Sequence, residues 1–479
     1  MKKFKIFISN IFVYGFGGVI SRIVPIVMLP IVTRLMPDSG YYGLNDLSMT
    51  LVSVGQAIAV FGMYDAMFRL FFDKDDEIYQ KQICSTAFLI TMITSLAVFF
   101  VIIGFNQVLS KLIFKDEQYS YLVCLAAFAI LVGATNNIVA APTKIQNKSK
   151  TFIIVNTLSP IIAYSMAIPL LLSGYYSFAL QISNLVAAIL IEGFFIYKNR
   201  GWFSFKYVNW LYIKPLLKIA VPLMPSFLIY WIYHSADRLM IQHFLNAQEV
   251  GIYAIGSKLG QISNLIYTAF TGGWLYFAYS TMKEEAQVKN NSRIFEYLGI
   301  IAYSASVLAC AFSYNIYKIV FTEEYLSGYK VAPYLFFAPL LQMLFQVAGN
   351  QFIVMKKVLP NVLILFAGAI VNVGLNLILI PRVGIEGAAI GTIMGYLFAD
   401  IICVIVLLKI EMLVLSKRFV IATAGILLFW FIWVVYLYRF IFMGICTAVV
   451  IILLYCYLYR RDIVECFRLF KVMVFKRKE

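Results

Sequence analysis

The sequence predicts an all-α integral membrane protein with about 14 transmembrane helices, and three observations support this fold class. Hydrophobic residues form 62% of the 479-residue chain and charged residues only 13%, whereas soluble proteins average about 45–50% and about 25%. The mean hydropathy is +0.87. Apolar runs of about 20 residues, the length that crosses a bilayer as a helix, follow one another along the chain.

Polar or Pro/Gly-marked turns separate these apolar runs into 14 predicted spans. The spans lie at approximately 9–35, 42–70, 82–104, 120–143, 151–172, 177–198, 214–244, 250–281, 293–313, 331–355, 358–381, 386–408, 419–437 and 440–459. No stretch between them is long and polar enough for a soluble domain. The GxxxxGK[ST] phosphate-binding motif is absent from the sequence, so we do not expect this chain to be driven directly by ATP.

The distribution of lysine and arginine predicts that both termini are cytoplasmic. With the amino terminus inside, the inner segments contain 28 basic residues and the outer segments 7. This bias explains most of the net charge of +16, so we do not expect a nucleic-acid partner. The segment 460–479 mixes basic and large apolar residues, which is typical of an amphipathic helix at the membrane surface.

Cysteine and histidine patterns favour neither a disulfide framework nor a metal site. None of the seven cysteines falls in a predicted outer loop, and the two histidines have no cysteine partner at metal-ligand spacing. Neither a Ser-His-Asp set nor a paired-carboxylate set stands out in a plausible catalytic context. We therefore expect a protein that is not an enzyme and that needs no cofactor.

Two pairs of similar segments predict an internal repeat. "PIVTRLMPDSGYYGL" (30–44) and "ADRLMIQHFLNAQEVGIY" (236–253) both read Arg-Leu-Met, a polar turn and then a glycine, which is Gly43 in one copy and Gly251 in the other. A second pair joins 173–198 to 381–409. Six spans separate the copies, so they share one orientation and imply two pseudo-symmetric six-helix lobes with a substrate path between them.

This repeat divides the chain into four predicted regions. The first lobe covers 1–209 and the second covers 210–409. Two extra helices occupy 410–459 outside the repeat, and the basic tail covers 460–479.

Four basic residues within the spans are the first candidates for a functional site, and one of them, Arg69, is better explained by a local ion pair. A charge at the bilayer centre costs at least about 2.5–3.5 kcal/mol, so it needs a partner, a wet cavity or a function. Arg22 lies near the predicted centre of the first span. Arg238 and Lys258 lie at similar depths on two consecutive, antiparallel helices. We expect all three to line a water-filled cavity.

Polar neighbours extend this candidate site. Lys258 begins a stripe at near-helical spacing that continues with Gln261 and Asn264. Asp237 is predicted to pair with Arg238 or Lys258, and an ion network that only holds the lobe together is the alternative. His234 shares a helical face with Arg238, and it is either a proton sensor or a hydrogen-bonded core histidine.

Other charged residues in the spans allow two interpretations. Arg69 and Asp65 are four residues apart and are predicted to form a local ion pair. Glu192 and Asp400 occupy near-equivalent positions of the repeat, and they are either parts of an inner gate or solvated helix ends.

Prolines in corresponding spans predict paired kinks. Pro25 and Pro30 interrupt span one, and Pro222 and Pro225 interrupt span seven, its partner in the repeat. Alternating access needs elements that bend or rock, and we expect these two helices to supply them.

Three segments resemble the Wzx-type polysaccharide flippases of the multidrug/oligosaccharidyl-lipid/polysaccharide exporter superfamily. They are "LPIVTRLMPDSGYYGL" (29–44), "VPLMPSFLIYWIYHSADRLMIQHFLNAQEVGIYAIGSKL" (221–259) and "LIPRVGIEGAAIGTIMGYL" (379–397), and the resemblance covers roughly 1–409. It implies a V-shaped, MATE-like transporter in the bacterial cytoplasmic membrane. Its substrate would be an undecaprenyl-diphosphate-linked oligosaccharide, flipped from the inner to the outer leaflet for capsule or O-antigen synthesis. Polysaccharide polymerases or glycosyltransferases would be its protein partners.

The candidate residues suit such a substrate, because arginine and lysine are the usual partners of phosphate. A lipid II flippase remains an alternative. A cation-coupled drug exporter is a further alternative, although it would be expected to place carboxylates at mid-membrane, where this sequence is mainly cationic. A scaffold for glycosyltransferases would leave the charged spans unexplained. The sequence does not choose between H⁺ and Na⁺ as a coupling ion.

Overall fold

The computed structural model describes residues 24–146, 148–282, 284–435 and 441–464, and the regular elements within them are helices. The amino-terminal half contains α1 Val24–Leu35, α2 Ser39–Val60, α3 Met63–Phe71, α4 Glu77–Gly104, α5 Asn106–Phe114, α6 Ser120–Ile145, α7 Ser149–Leu172 and α8 Ala179–Asn199. The carboxy-terminal half contains α9 Ile213–Trp231, α10 Asp237–Phe244, α11 Ala247–Gly256, α12 Lys258–Thr281, α13 Gln287–Val320, α14 Ala332–Val354, α15 Val358–Val383, α16 Ile385–Lys409, α17 Lys417–Val435 and α18 Ile441–Leu458.

The described helices confirm a multi-pass membrane protein, but not the number 14. Within the described residues, ten helical stretches are long and apolar enough to cross a bilayer, or 11 if the bent pair α2–α3 counts as one span. Helical structure is present at each predicted span position, with short helices such as α5 between some of them.

Equivalent helices pack in the same way in the two halves, as the predicted repeat requires. In the first lobe α6 is the central helix and packs against α2, α4 and α8. In the second lobe α14 takes this place and packs against α12, α13 and α16. Among the described spans α14 is the most buried, because helices surround it on all sides. The substrate path predicted from the repeat would lie between these two groups.

The two copies of the repeated motif also begin their helices in the same way. Asp38 caps α2 by accepting a hydrogen bond from the backbone N–H of Gly40 at 2.7 Å, and Asn246 caps α11 by accepting from that of Glu249 at 2.9 Å. Each cap lies five residues before the repeated glycine, Gly43 or Gly251. Short polar side chains at this position satisfy backbone N–H groups that the first turn leaves unpaired.

Two spans carry irregular turns that the sequence did not predict. Span seven is interrupted by a π-helical turn at Ile232–Ala236 that follows Pro222 and Pro225. Span two carries an unpredicted bend of 43° between α2 and α3, where Gly62 adopts φ +72. Because Gly62 has no side chain, the Ala220 carbonyl can approach it closely; a Cβ there would lie 2.7 Å from that oxygen. In span one, the described helix α1 continues through its prolines.

The predicted ion pair between Arg69 and Asp65 is wrong. Arg69 instead pairs with Asp73, one turn further along the chain, and both side chains are exposed. Asp73 lies just beyond the end of α3, where the side chain of Arg69 can reach it at the protein surface.

The two extra helices α17 and α18 dock on α13 through a buried carboxylate. Glu296 of α13 accepts hydrogen bonds from the backbone N–H of Ser416 at 2.6 Å and from its hydroxyl at 2.8 Å. Arg418 pairs with Asp462, and its guanidinium lies 4.2 Å from the ring centroid of Tyr459. Polar and aromatic contacts therefore tie the start of α17 and the end of α18 to the second lobe.

We expect Glu296→Ala to destabilise this docking by about 2–3 kcal/mol, because hydrogen bonds to a charged group contribute about this much. The backbone N–H and the hydroxyl of Ser416 would also lose their acceptor. The melting temperature in detergent should fall by several degrees. Glu285→Ala, at an exposed position, is the matched control and should melt like the unmodified protein. Equal melting of all three proteins would contradict this role for Glu296.

Candidate functional site

An ion pair between the two lobes lies at the centre of the candidate site. Arg238 of α10 donates through Nε to Oδ2 of Asp46 on α2 at 2.6 Å. Its Nη1 also lies 3.0 Å from Oδ1 of Asp237. The side chains of Arg238, Asp46 and Asp237 are only 15%, 13% and 3% exposed, so water screens their charges weakly.

Tyr253 of α11 completes this group. Its hydroxyl donates to Oδ2 of Asp237, and its ring centroid lies 5.7 Å from the Arg238 guanidinium. We call Asp46, Asp237, Arg238 and Tyr253 the interlobe cluster. One arginine compensates two carboxylates within it, so removal of the arginine would leave two buried acidic groups facing each other.

The sequence reasoning missed Asp46. It is separated from its partner by 192 residues, and no local spacing connects the two. One feature of the sequence could have identified Asp46. It is an acidic residue inside the predicted second span, where a charge needs a partner.

A cavity of about 210 Å³, lined by both polar and apolar side chains, adjoins the interlobe cluster, and we call it the seam cavity. Lys258 lines it from α12, and its Nζ lies 5.7 Å from the ring centroid of Tyr42. The remaining lining residues come from the first lobe: Leu29, Val32, Tyr42, Asn45, Asp46, Met49, Ala163, Tyr164, Ala167, Leu180, Ser183 and Asn184. Asp46 belongs both to the cavity wall and to the ion pair.

The structure places only some of the predicted site residues at the seam cavity. Lys258 lines the seam cavity, whereas Arg238 does not line it and is held behind Asp46. Gln261 is exposed and Asn264 is half-buried further along α12, and neither lines this cavity. Arg22 lies outside the described residues.

His234 lies within the π-helical turn just before the interlobe cluster. Its backbone carbonyl accepts a hydrogen bond from Nη1 of Arg238 at 2.5 Å. Its residue is exposed at the surface of the protein, which argues against a position in the packed core. A π-helical turn leaves carbonyl groups without their usual helical partners, and such turns are frequent at functional sites.

The repeated glycines meet where the lobes close on each other. A Cβ on Gly43 would lie 1.9 Å from the Ala247 carbonyl oxygen, and a Cβ on Gly251 would lie 2.0 Å from that of Ser39. The backbones of α2 and α11 therefore touch through equivalent residues of the repeat. We call this region, 38–46 together with 243–251, the gate end; the predicted orientation places it on the outer side.

Further hydrogen bonds join the two lobes beside these glycines. Lys115 donates to the His243 carbonyl at 2.7 Å, and the side-chain amide of Gln242 donates to the Phe114 carbonyl at 3.1 Å. Glu324 accepts from the backbone N–H of Ser39 at the start of α2. The gate end is therefore closed in this conformation.

The described residues bring no group of three or more His, Cys, Asp or Glu side chains together that could hold a metal ion. What the site can do follows from its charges. A lysine in a small cavity can bind an anion, and the ion pair next to it can break only if other charges or water replace its partners.

The fold is that of known membrane transporters. The lipid II flippase MurJ in an inward-closed conformation has a TM-score of 0.68 at 14% identity, and the match covers 95% of this chain and 100% of that chain. An inward-facing multidrug resistance transporter of the MATE family has a TM-score of 0.58 at 13% identity, covering 81% and 96%. A transporter from Pyrococcus furiosus, of the MOP superfamily to which the MATE transporter also belongs, has a TM-score of 0.60 at 12% identity. The match covers 83% of this chain and 94% of that chain.

A sequence relative adds little about function. An uncharacterized membrane protein of Methanocaldococcus jannaschii is 26% identical over 320 residues, which is 61% of this chain. The match spans 58% of the relative's own length.

A family model described as polysaccharide biosynthesis protein matches residues 31–329. This range includes α2 to α13, the interlobe cluster and the lining of the seam cavity except Leu29. This match confirms the family relationship expected from the motifs at 29–44 and 221–259. The fold of the chain is shared with membrane flippases and transporters. The chain belongs to the polysaccharide biosynthesis protein family.

Proposed function

We propose that this protein flips polyprenyl-diphosphate-linked oligosaccharides from the inner to the outer leaflet of the bacterial cytoplasmic membrane. The flipped units would be built into an exported polysaccharide of the capsule or O-antigen type. The observation that carries the proposal is Lys258, a cation in a cavity between the lobes of a transporter fold, next to an ion pair that joins those lobes. The family description supports the polysaccharide class.

The charges suggest how the substrate would act on the site. A diphosphate that enters the seam cavity would bind Lys258 and compete with Asp46 for Arg238. Because Asp46 forms part of the cavity wall, the incoming anion would be next to the ion pair that holds the gate end closed. Substrate binding would thereby weaken the interlobe cluster and favour opening toward the outer side.

Polar side chains on the cavity wall suit a sugar. Asn45, Ser183 and Asn184 offer amide and hydroxyl groups, and the Asn45 Oδ1 and Ser183 Oγ atoms are buried without a hydrogen-bond partner among the described residues. A buried polar atom without a partner is costly, and a sugar hydroxyl could supply the missing hydrogen bond. The cavity of about 210 Å³ in this closed conformation would have to widen for a whole repeat unit.

The remaining candidate residues have supporting roles in this proposal. Arg22 would provide a second cation for the diphosphate from the first span. Gln261 and Asn264 would contact the substrate along α12 once the lobes separate. Asp237 would orient Arg238, and His234 would bind water or substrate beside the π-helical turn.

The proposed topology follows the distribution of basic residues. Both termini would lie in the cytoplasm, with lobes at 1–209 and 210–409, two further helices at 410–459 and the basic tail at 460–479 on the anionic membrane surface. Polymerases or glycosyltransferases of the same polysaccharide would be the protein partners. Either H⁺ or Na⁺ would serve as the coupling ion.

Lipid II is the second candidate substrate. The fold match to the lipid II flippase MurJ covers the whole of that chain and favours this alternative. A multidrug exporter is less well supported, because the acidic residue on the cavity wall, Asp46, is already paired with Arg238.

Mass spectrometry of polyprenyl-diphosphate lipids tests the substrate. Cells without this protein should accumulate a complete, unpolymerised oligosaccharide repeat on its lipid, which would also identify the sugar. Accumulation of lipid II would support the second candidate. No change in either lipid pool would refute the flippase proposal, and efflux assays with organic cations would follow.

We expect Lys258→Ala and Arg22→Ala each to reduce polymer export at least tenfold while the protein still inserts, because the diphosphate would lose a cationic partner. Lys258→Arg should retain part of the activity, since it preserves the charge. Lys289→Ala removes an exposed lysine and should export normally. Normal export by stably expressed Lys258→Ala and Arg22→Ala variants would refute the proposed anion site.

A further inference from the structure

Asp400 of α16 is a buried carboxyl without a visible partner. Its residue is 8% exposed, and neither carboxylate oxygen has a hydrogen-bond partner among the described residues. It lies nine residues before the end of the helix at Lys409, about 13 Å at 1.5 Å per residue. The interpretation as a solvated helix end is therefore wrong for Asp400.

Glu192, its near-equivalent in the first lobe, has a different environment. It is half-buried, and the side chain of Thr135 lies beside it. The two carboxyl groups therefore do not form a symmetric pair.

The groups around Asp400 are neutral. The phenols of Tyr233, Tyr303 and Tyr396 and the thiol of Cys403 lie within its electrostatic range. An ionised carboxylate buried in the membrane without a partner is costly. A metal cation would need several converging oxygen ligands, whereas a proton needs one carboxyl.

Aromatic contacts connect Asp400 to the interlobe cluster. Tyr396, one turn before Asp400, stacks on Tyr233 with ring centroids 4.1 Å apart and an interplanar angle of 20°. The Tyr233 hydroxyl donates to the carbonyls of Leu365 at 3.2 Å and Gly395 at 3.3 Å. Tyr233 is part of the π-helical turn that leads directly into Asp237.

Close packing makes this connection stiff. A Cβ on Gly368 would lie 2.2 Å from the Tyr233 hydroxyl and 2.6 Å from the Gly395 carbonyl, so α15, α16 and the π-helical turn have no spare room. Ionisation of Asp400 would require water beside α16, and water could enter only if these elements moved apart. Such a movement would shift the π-helical turn and hence Asp237 and Arg238.

We propose that Asp400 is a proton-binding site whose occupancy favours the closed gate end. In one direction a proton from water forms an O–H bond with a carboxylate oxygen while α16 packs against Tyr233. In the other direction the proton returns to water, the carboxylate becomes hydrated and the gate end opens. This inference concerns coupling and holds whatever the transported substrate is.

Hydrogen–deuterium exchange of the full-length protein in detergent tests it. Peptides covering 39–50 and 247–256 report on the gate end, after correction for the intrinsic effect of pH on exchange. We expect exchange to rise at least threefold between pH 5.5 and pH 8.5, because release of the proton destabilises the closed form. Asp400→Asn, which mimics the protonated acid, should remain at the low-pH level throughout, and Asp400→Leu should also lose the pH response.

Three controls separate Asp400 from other causes. His234→Gln and Glu192→Gln remove the exposed histidine of the π-helical turn and the carboxyl of the first lobe, and both should keep the pH response. Replacing choline by Na⁺ at constant pH should have no effect. The proposal is overturned if folded Asp400→Asn and Asp400→Leu variants respond to pH like the unmodified protein. It is also overturned if His234→Gln or Glu192→Gln abolishes the pH response. A third contradicting result is a change of deuterium exchange on adding Na⁺ that occurs in the unmodified protein and is lost in Asp400→Asn.

Discussion

Replacing Arg238 by alanine should abolish transport and destabilise the protein by about 3–5 kcal/mol, because it leaves the carboxylates of Asp46 and Asp237 buried without their cation. Removal of one member of a buried ion pair costs more than removal of both. The change can be measured as polymer export and as melting temperature in detergent. Among the substitutions considered, this one should have the largest combined effect.

The double variant Asp46→Ala/Arg238→Ala separates stability from function. Removing both partners should recover much of the lost stability, since one negative charge disappears together with the positive charge, but it should not recover transport. Asp46→Ala alone should be milder, because Arg238 keeps its contact with Asp237 at 3.0 Å. Additive effects of the two single substitutions would show that the pair across the lobes contributes no coupling energy.

A methyl group at Gly43 should prevent closure of the gate end. The Cβ of Gly43→Ala would lie 1.9 Å from a backbone oxygen, which a rotamer change cannot relieve. We expect export to fall at least tenfold and deuterium exchange in 39–50 and 247–256 to rise, because α2 and α11 must separate. Gly251→Ala should behave in the same way, since the contact is reciprocal.

Gly193→Ala provides the matched control for these glycine variants. Its Cβ would meet no atom within 4 Å, so its export should stay within about twofold of normal. If Gly43→Ala exported as well as Gly193→Ala, close contact of the two lobes at the gate end would not be required in the transport cycle.

Features that depend on neighbouring residues were predicted correctly, whereas contacts between distant segments were not. The positions of the helical spans and the six-span repeat were readable because hydrophobic runs and turn residues act within a few neighbours. The sequence also predicted that Gly43 and Gly251 are equivalent positions of the repeat, but it did not predict that they contact each other. The bend at Gly62 was not predicted, because it depends on the packing of Ala220 against that glycine.

The amino-acid sequence by itself determined the fold class, the two-lobed repeat and the family, and it singled out the cations Arg238 and Lys258. Only the tertiary structure decided which charges meet: Asp46 pairs with Arg238, Lys258 lines the seam cavity, and Asp400 has no hydrogen-bond partner within the part of the chain that the structure describes. Hydrophobicity and turn preference are properties of short segments, and so the sequence displays them directly. The pairing of charges across two lobes depends on how helices almost 200 residues apart pack together, and no local spacing encodes that.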